Sequence, residues 1–285
     1  METYNDIYLR VRRKLKNAGF EPSEFEARLI VTHCANRTRE ELLEMSKIYA
    51  TDREVKRRID ECLDRRLNGE PLAYVLGEWE FYSLPIIVNR HVMIPRVDTE
   101  VLAREAISLL KRKVWQTRVL DLCAGSGCIG LSIAANIPGC RIVMIDKSEQ
   151  ALSLCRANML MNNLSRNITV LEADALEKPP AILGEFDVIV CNPPYIPTDD
   201  IDTLDKSVRN YEPRAALDGG EDGLVYYRKI TESWSKLLKS GGHLAYECGV
   251  EQAAAVRYIM KQSGFTDIKT YKDTLGIERV LVGMV

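Results

Sequence analysis

From residue 118 onward, short apolar runs alternate with helical patterns, and the first of those runs ends in a cluster of glycines. Val119-Leu120-Asp121-Leu122 passes directly into Cys123-Ala124-Gly125-Ser126-Gly127-Cys128-Ile129-Gly130 and then a helical pattern. Further apolar runs fall at 141–146, 168–171, 186–191, 243–247, 267–272 and 279–284. Helical patterns over 149–163, 225–239 and 250–263 lie between them. Strands that alternate with helices demand a mostly parallel sheet covered on both faces. The expected fold class is therefore α/β, with a Rossmann-like sheet of seven mostly parallel strands. Ligands of such sheets bind outside the carboxyl ends of the strands.

Upstream the pattern differs. Residues 1–75 read as helices only: Ile7, Val11, Leu15 and Ala18 share one face, and Gly19 stops that run. Pro22-Ser23 opens a second helix. Thr38-Arg39-Glu40-Glu41 has the form of a capping box, and Asp52 caps a longer helix that ends near Asn68-Gly69. The basic stretch from Lys56 to Arg66 is interrupted by Asp60, Glu61 and Asp64. It reads either as a solvated face or as a docking surface for an acidic partner. Residues 76–93 alternate in the manner of a β-hairpin linker, with Asn89-Arg90 as the turn. The division expected is a small all-helical domain over 1–75, the hairpin over 76–93, and an α/β domain over 94–285. The long stretch 196–223 reads as an irregular loop, and loops of that length usually carry function.

The glycine cluster lets the backbone turn sharply and lets a ligand approach it. Taken alone, Gly125-x-Gly127-x-x-Gly130 followed by Asp146 also satisfies a dinucleotide fingerprint. Two features favour S-adenosyl-L-methionine. Asp121 sits within the strand end, where an acid suits a cationic, amino-acid-bearing ligand better than a pyrophosphate. Asp174, after Leu171-Glu172-Ala173, ends the third strand with another acid. Cys123, Ala124, Gly125, Ser126 and Gly127 are expected to bind the cofactor. Asp146 is expected to accept from the ribose hydroxyls, and Asp174 with the Ala175 backbone to meet the adenine edge.

The fourth strand ends at Asn192-Pro193-Pro194-Tyr195. Two prolines cannot donate to a ladder, so the strand stops at Asn192, and they restrict the backbone that follows. The Asn192 side chain and the Pro193 carbonyl then offer two acceptors at the sheet edge. A planar NH2 group needs that arrangement: two acceptors hold its N–H bonds and aim its weakly nucleophilic nitrogen at a methyl sulfonium. Tyr195 supplies a flat face against which the group can stack. The expected catalytic residues are Asn192, Pro193 and Tyr195, with Pro194 joining them in substrate binding.

Composition excludes several classes. The net charge of -2 and the pI near 6.1 argue against a dedicated duplex-DNA binder, which needs a basic excess. Eight cysteines, none in a C-x-x-C pair, and three histidines give no metal-ligand pattern. They fit a reducing cytoplasm better than a disulfide framework. No apolar run approaches a membrane span, and the N-terminus lacks a signal pattern. A monomer is the default.

These segments resemble a known family. The order of Asp121–Gly127, Asp146, Asp174 and Asn192–Tyr195 is similar to class I methyltransferases that act on NH2 groups. Pro95-Arg96-Val97-Asp98-Thr99-Glu100 resembles the Pro-Arg-Pro-Asp-Thr-Glu signature of the release factor glutamine methyltransferases, the HemK/PrmC family, with Val97 in place of a proline. Gly77-Glu78-Trp79-Glu80-Phe81-Tyr82, Tyr211-Glu212-Pro213-Arg214-Ala215-Ala216-Leu217 and Glu247-Cys248-Gly249-Val250-Glu251-Gln252 match as well. The resemblance implies methylation of the glutamine in the Gly-Gly-Gln loop of peptide chain release factors. It implies that Asn192 and Pro193 hold the glutamine amide, that Tyr195 flanks it, and that Asn192 also contacts S-adenosyl-L-methionine. It further implies that the N-terminal helical domain helps engage the release factor, with no direct nucleic-acid contact. The alternative that the tetrapeptide leaves open is a DNA or RNA adenine amino-methyltransferase, which would have to extrude its base.

Overall fold

The computed structural model describes residues 2–50, 52–111 and 116–285. The chain divides into two compact units. One takes in the residues up to Gly77 together with Lys206–Tyr211, and the other holds the remainder.

The first unit is helical: α1 (Tyr4–Asn17), α2 (Ser23–Ala35), α3 (Arg39–Glu44), α4 (Arg53–Leu67) and α5 (Leu72–Leu76). Thr3 and Asp6 form a capping box at the start of α1, Thr38 and Glu41 another at α3, and Asp52 accepts from the backbone of Glu54 and Val55 at α4. Ile7, Val11, Leu15, Ile30, Ile59 and Leu63 are fully buried and make its core. The basic stretch of α4 is largely neutralised within the unit. Arg57 bonds Glu54 and Glu61, Arg65 bonds Glu70 and the carbonyls of Tyr74 and Val75, and Arg66 pairs with the buried Glu26 at 2.7 Å.

The second unit opens with β1 (Glu78–Phe81) and β2 (Leu84–Ile87), an antiparallel hairpin. Its turn is Tyr82-Ser83, with φ of 50° and 62°, and not Asn89-Arg90. Two consecutive left-handed residues make the tight turn that suits the strand twist, but neither is the Asn or Gly that signals it in sequence. The remaining elements are α6 (Thr99–Lys111), β3 (Arg118–Leu122), α7 (Cys128–Asn136), β4 (Arg141–Asp146), α8 (Glu149–Met161), β5 (Ile168–Glu172), β6 (Phe186–Cys191), α9 (Lys206–Tyr211, within the first unit), α10 (Val225–Ser233), β7 (Leu238–Glu247), α11 (Ala253–Gln262), β8 (Thr266–Lys272) and β9 (Glu278–Met284).

The sheet order is β5-β4-β3-β6-β7-β9-β8, and β9 alone runs antiparallel to both its neighbours. This is the seven-stranded, mostly parallel sheet expected. The helix expected over 225–239 ends early. After Ser233 a 3-10 turn follows, in which buried Trp234 donates to the Glu177 carbonyl at 3.0 Å, and Leu238 already pairs with Phe186 in the sheet. The stretch 196–223 is not irregular either. It carries two 3-10 turns and α9, and it folds back so that Ile196 N–H donates to the Leu217 carbonyl and Gly219 N–H to that of Ile196. A Cβ at Gly219 would stand 2.7 Å from Tyr195 Cα, so only glycine lets the two backbones approach this closely.

Candidate active site

Chain order in the sheet reverses between β3 and β6, and Leu122 pairs with Cys191 across that boundary. The glycine loop after β3 and the tetrapeptide after β6 therefore leave the sheet side by side, at the place where such folds bind ligands. A cavity of about 930 Å³, counting its open mouth, lies there.

Cys123, Ala124, Gly125, Ser126, Asp146, Asp174, Ala175 and Asn192 all line the cavity, as does Pro194. Gly127, Pro193 and Tyr195 do not. Gly127 shapes the loop from outside the cavity. Its φ is 80°, and an added Cβ would meet Cys155 Sγ at 2.7 Å. Cys123 holds a left-handed φ of 58° without being glycine, so the loop stores backbone strain where the cavity begins. Pro193 is buried. The Tyr195 ring is packed against the core, with its hydroxyl donating to Glu247 Oε1 at 3.5 Å.

The acids occupy distinct settings. Asp146 Oδ2 accepts from Gly125 N–H and Oδ1 from Ser148 N–H, each at 2.9 Å. Each oxygen keeps a lone pair for a ligand hydroxyl. Burial raises the pKa of Asp146, and its backbone donors pull it back. Asp174 Oδ1 accepts from Leu176 N–H at 2.9 Å, beside the buried Ala175. Asp121 departs from expectation. It is fully buried beneath the loop and does not line the cavity. Its Oδ2 accepts from Gly130 N–H, in the first turn of α7, at 2.9 Å, and its Oδ1 has no partner among the described residues.

That geometry decides what kind of cofactor fits. A helix N-terminus that binds pyrophosphate presents free N–H groups to it. Here the Gly130 and Gly125 N–H groups already serve Asp121 and Asp146, and Gly127 N–H serves the Ala124 carbonyl. Burial raises the pKa of Asp121 beneath the loop and of Asp146 at its edge, and both carboxyls ionise more readily beside a cation than beside an anion. The two carboxyls thus favour a cationic ligand over an anionic one.

The sequence reading gave no role to several lining residues: His91, Met93, Pro95 and Thr99 ahead of the sheet, Pro213 and Ala215 after α9, and the pair Lys147 and Tyr226. Lys147 Nζ donates to the Tyr226 hydroxyl at 2.9 Å. Nothing in the sequence links those two positions, which lie 79 residues apart. Pro95 and Thr99 did carry a signal, because both lie in the segment on which the resemblance rests.

The "PrmC N-terminal domain" model matches residues 6–77, and the "Methyltransferase small domain" model matches residues 99–245. The chain is 44% identical to a release factor glutamine methyltransferase of Thermodesulfovibrio yellowstonii, over 79% of this chain and 80% of that one. It is 36% identical to one of Caulobacter vibrioides, over 95% of this chain and 92% of that one.

The chain belongs to the release factor glutamine methyltransferase family.

The fold of the hMettl16 catalytic domain, solved in complex with a MAT2A 3'UTR hairpin, superposes with a TM-score of 0.55 at 16% identity and covers 81% of each chain. At that identity only the fold is shared. In this member of the release factor glutamine methyltransferase family, two of the matching segments meet at the cavity. Arg96 bonds Glu212, a residue 5% exposed, which also accepts from Ile94 N–H at 3.2 Å. The segment around Pro95 and the segment around Pro213 are thereby held together as one wall.

Proposed function

We propose that the chain transfers a methyl group from S-adenosyl-L-methionine to the side-chain amide nitrogen of the glutamine in the Gly-Gly-Gln loop of a peptide chain release factor, leaving S-adenosyl-L-homocysteine. One observation carries the reading: Asn192 reaches the cavity beside the glycine loop, at the carboxyl end of β6. When bound, the cofactor supplies an electrophilic methyl carbon on sulfur. Asp146 would take the ribose hydroxyls on its free lone pairs, Asp174 and the Ala175 backbone would take the adenine edge, and 123–126 would form the floor.

Asn192 Oδ1 and the Pro193 carbonyl accept the two N–H bonds of the target amide. The nitrogen lone pair would then face the cavity in which the cofactor supplies its methyl group, and the gain is one of position and electrostatics. The nitrogen would gain the methyl group while sulfur keeps the electron pair of the broken carbon–sulfur bond, and its surplus proton would pass to water. Because the Tyr195 ring is packed behind the cavity wall, its part is to fix Pro194 and not to stack openly on the amide. The N-terminal helical unit is the surface assigned to the release factor. Its exposed apolar side chains Leu43, Ile48 and Tyr49 suit contact with a folded protein better than the neutralised arginines do.

No helix among the described residues is long and apolar enough to cross a membrane. The eight free cysteines suit a reducing compartment, and the reading places the protein in the cytoplasm as a monomer. The experiment is transfer of labelled methyl to a purified release factor. The expected result is labelling that disappears when the Gly-Gly-Gln glutamine is changed to alanine. Labelling of DNA or RNA adenine, with none on the release factor, would overturn the substrate.

A further inference from the structure

The carboxylate of Glu247 has no task in the reaction above, yet it lies directly beneath the groups that perform it. β6 and β7 are parallel with Cys191 opposite Tyr246, so the next residues on each, Asn192 and Glu247, leave the sheet as neighbours. Glu247 is 2% exposed. Its Oε1 accepts from Tyr195 at 3.5 Å, and its Oε2 has no hydrogen-bond partner among the described residues. Thr99, 1% exposed at the start of α6, stands at the same point, and its Oγ1 accepts from Asn192 Nδ2 at 3.3 Å.

A side-chain amide has two faces of opposite character, and turning it over exchanges an acceptor for a donor. Asn192 accepts a substrate N–H only with Oδ1 toward the cavity. With Nδ2 there, donor would face donor. Something behind the residue must therefore hold Nδ2, and it must be an acceptor. Thr99 Oγ1 accepts weakly at its distance, and a hydroxyl that accepts from Asn192 needs somewhere to send its own proton.

We infer that Glu247 is a positioning residue for the methyl transfer: its carboxylate, with the Thr99 hydroxyl, holds Asn192 Nδ2 from behind and so presents Oδ1 to the target NH2. This rests on the function proposed above. The electrostatic setting of Glu247 agrees with that placement. Burial raises its pKa to about 7, while Thr99, the Arg279 charge and Asn192 each favour the ionised form and Asp98 opposes it. The other titratable groups around it are Tyr195, Tyr227 on α10, Cys128 on α7 and Cys248. Above neutrality Glu247 is a pure acceptor. Below it, one oxygen carries a proton and the hold on Nδ2 weakens.

Two measurements test this. In the first, the Asn192 side-chain NH2 signals are assigned by their absence from Asn192→Ala and followed against pH by NMR. They should shift with a midpoint near 7 in the wild type and stay still in Glu247→Gln. A flat wild-type curve overturns the inference whatever the substrate is. In the second, kcat for methylation of an unmethylated release factor should rise through neutral pH in the wild type. Glu247→Gln should give a pH-independent kcat about tenfold lower than the high-pH limit, with cofactor Kd unchanged. An unaltered kcat and pH profile overturns the inference. Should Glu247→Gln fail to fold, Thr99→Val removes the intervening hydroxyl and must produce the same loss of kcat, and an unaffected Thr99→Val overturns the inference. A wild type that methylates no release factor defeats the functional reading, and the NMR titration still decides the role of Glu247.

Discussion

Asp121→Asn should make this protein more stable at neutral pH while leaving it nearly unchanged in acid. Burial raises the Asp121 pKa from 3.8 to about 7, the Gly130 N–H lowers it in part, and the Asp146 charge raises it further. In the unfolded chain the carboxyl ionises near 3.8, whereas in the folded protein it keeps its proton until about pH 7. The folded state therefore holds more protons across that window, and stability falls as pH rises through it. Well inside the window each pH unit costs about 1.4 kcal/mol, and because the folded carboxyl is half ionised near pH 7 the step from pH 5 to pH 7 costs about 2.3 kcal/mol from this group alone. Asparagine keeps an oxygen for Gly130 N–H and removes the ionisation.

The assay is urea unfolding of both proteins at pH 5 and pH 7, with equal m-values. Glu247, also raised to about 7, titrates in the same window, but it is present in both proteins and cancels in the difference between them. The stability of Asp121→Asn relative to wild type should rise by about 2–3 kcal/mol between the two pH values. A change below about 0.5 kcal/mol would mean that Asp121 is not a buried ionising carboxyl, and the argument for a cationic cofactor would lose its main support.

Asn192→Ala should lower kcat by roughly two to three orders of magnitude while weakening cofactor binding less, as loss of one aligned acceptor does; turnover within a few-fold of wild type in a methyl-transfer assay would remove the residue from the mechanism. Asn158→Leu should cost about 3–5 kcal/mol in thermal or urea unfolding and reduce cofactor affinity. That side chain is fully buried, accepts from Ile87 N–H at 2.6 Å, and donates to the Ile87 and Ser126 carbonyls at 3.1 and 2.9 Å, so it ties the hairpin to the glycine loop.

Much of the candidate site's lining is legible in the sequence. The glycine loop, Asp146, Asp174 and Asn192 each end a strand, and strand ends can be read from where apolar runs stop. What the sequence misplaced has local causes. The hairpin turn at Tyr82-Ser83 uses left-handed residues that carry no turn signal, and the helix expected to reach 239 ends at Ser233, because the chain enters the sheet at Leu238 opposite Phe186. Asp121 was read as facing the ligand. A strand residue's direction depends on the packed layer it faces, and here that layer is the first turn of α7.

The sequence by itself determined the order of elements, the loops that flank the site, and the kinship. Each of these follows from apolar period, from prolines and glycines, and from segments read along the chain. Only the tertiary structure decided which polar groups share one buried volume. Glu247 and Thr99 stand 148 positions apart and both lie beneath Asn192 because parallel pairing of β6 and β7, with α6 laid across them, brings them there. Burial then shifts a carboxyl's pKa and leaves an acceptor without a partner. Neither property belongs to a residue type, and both arise from the solvent that folding removes.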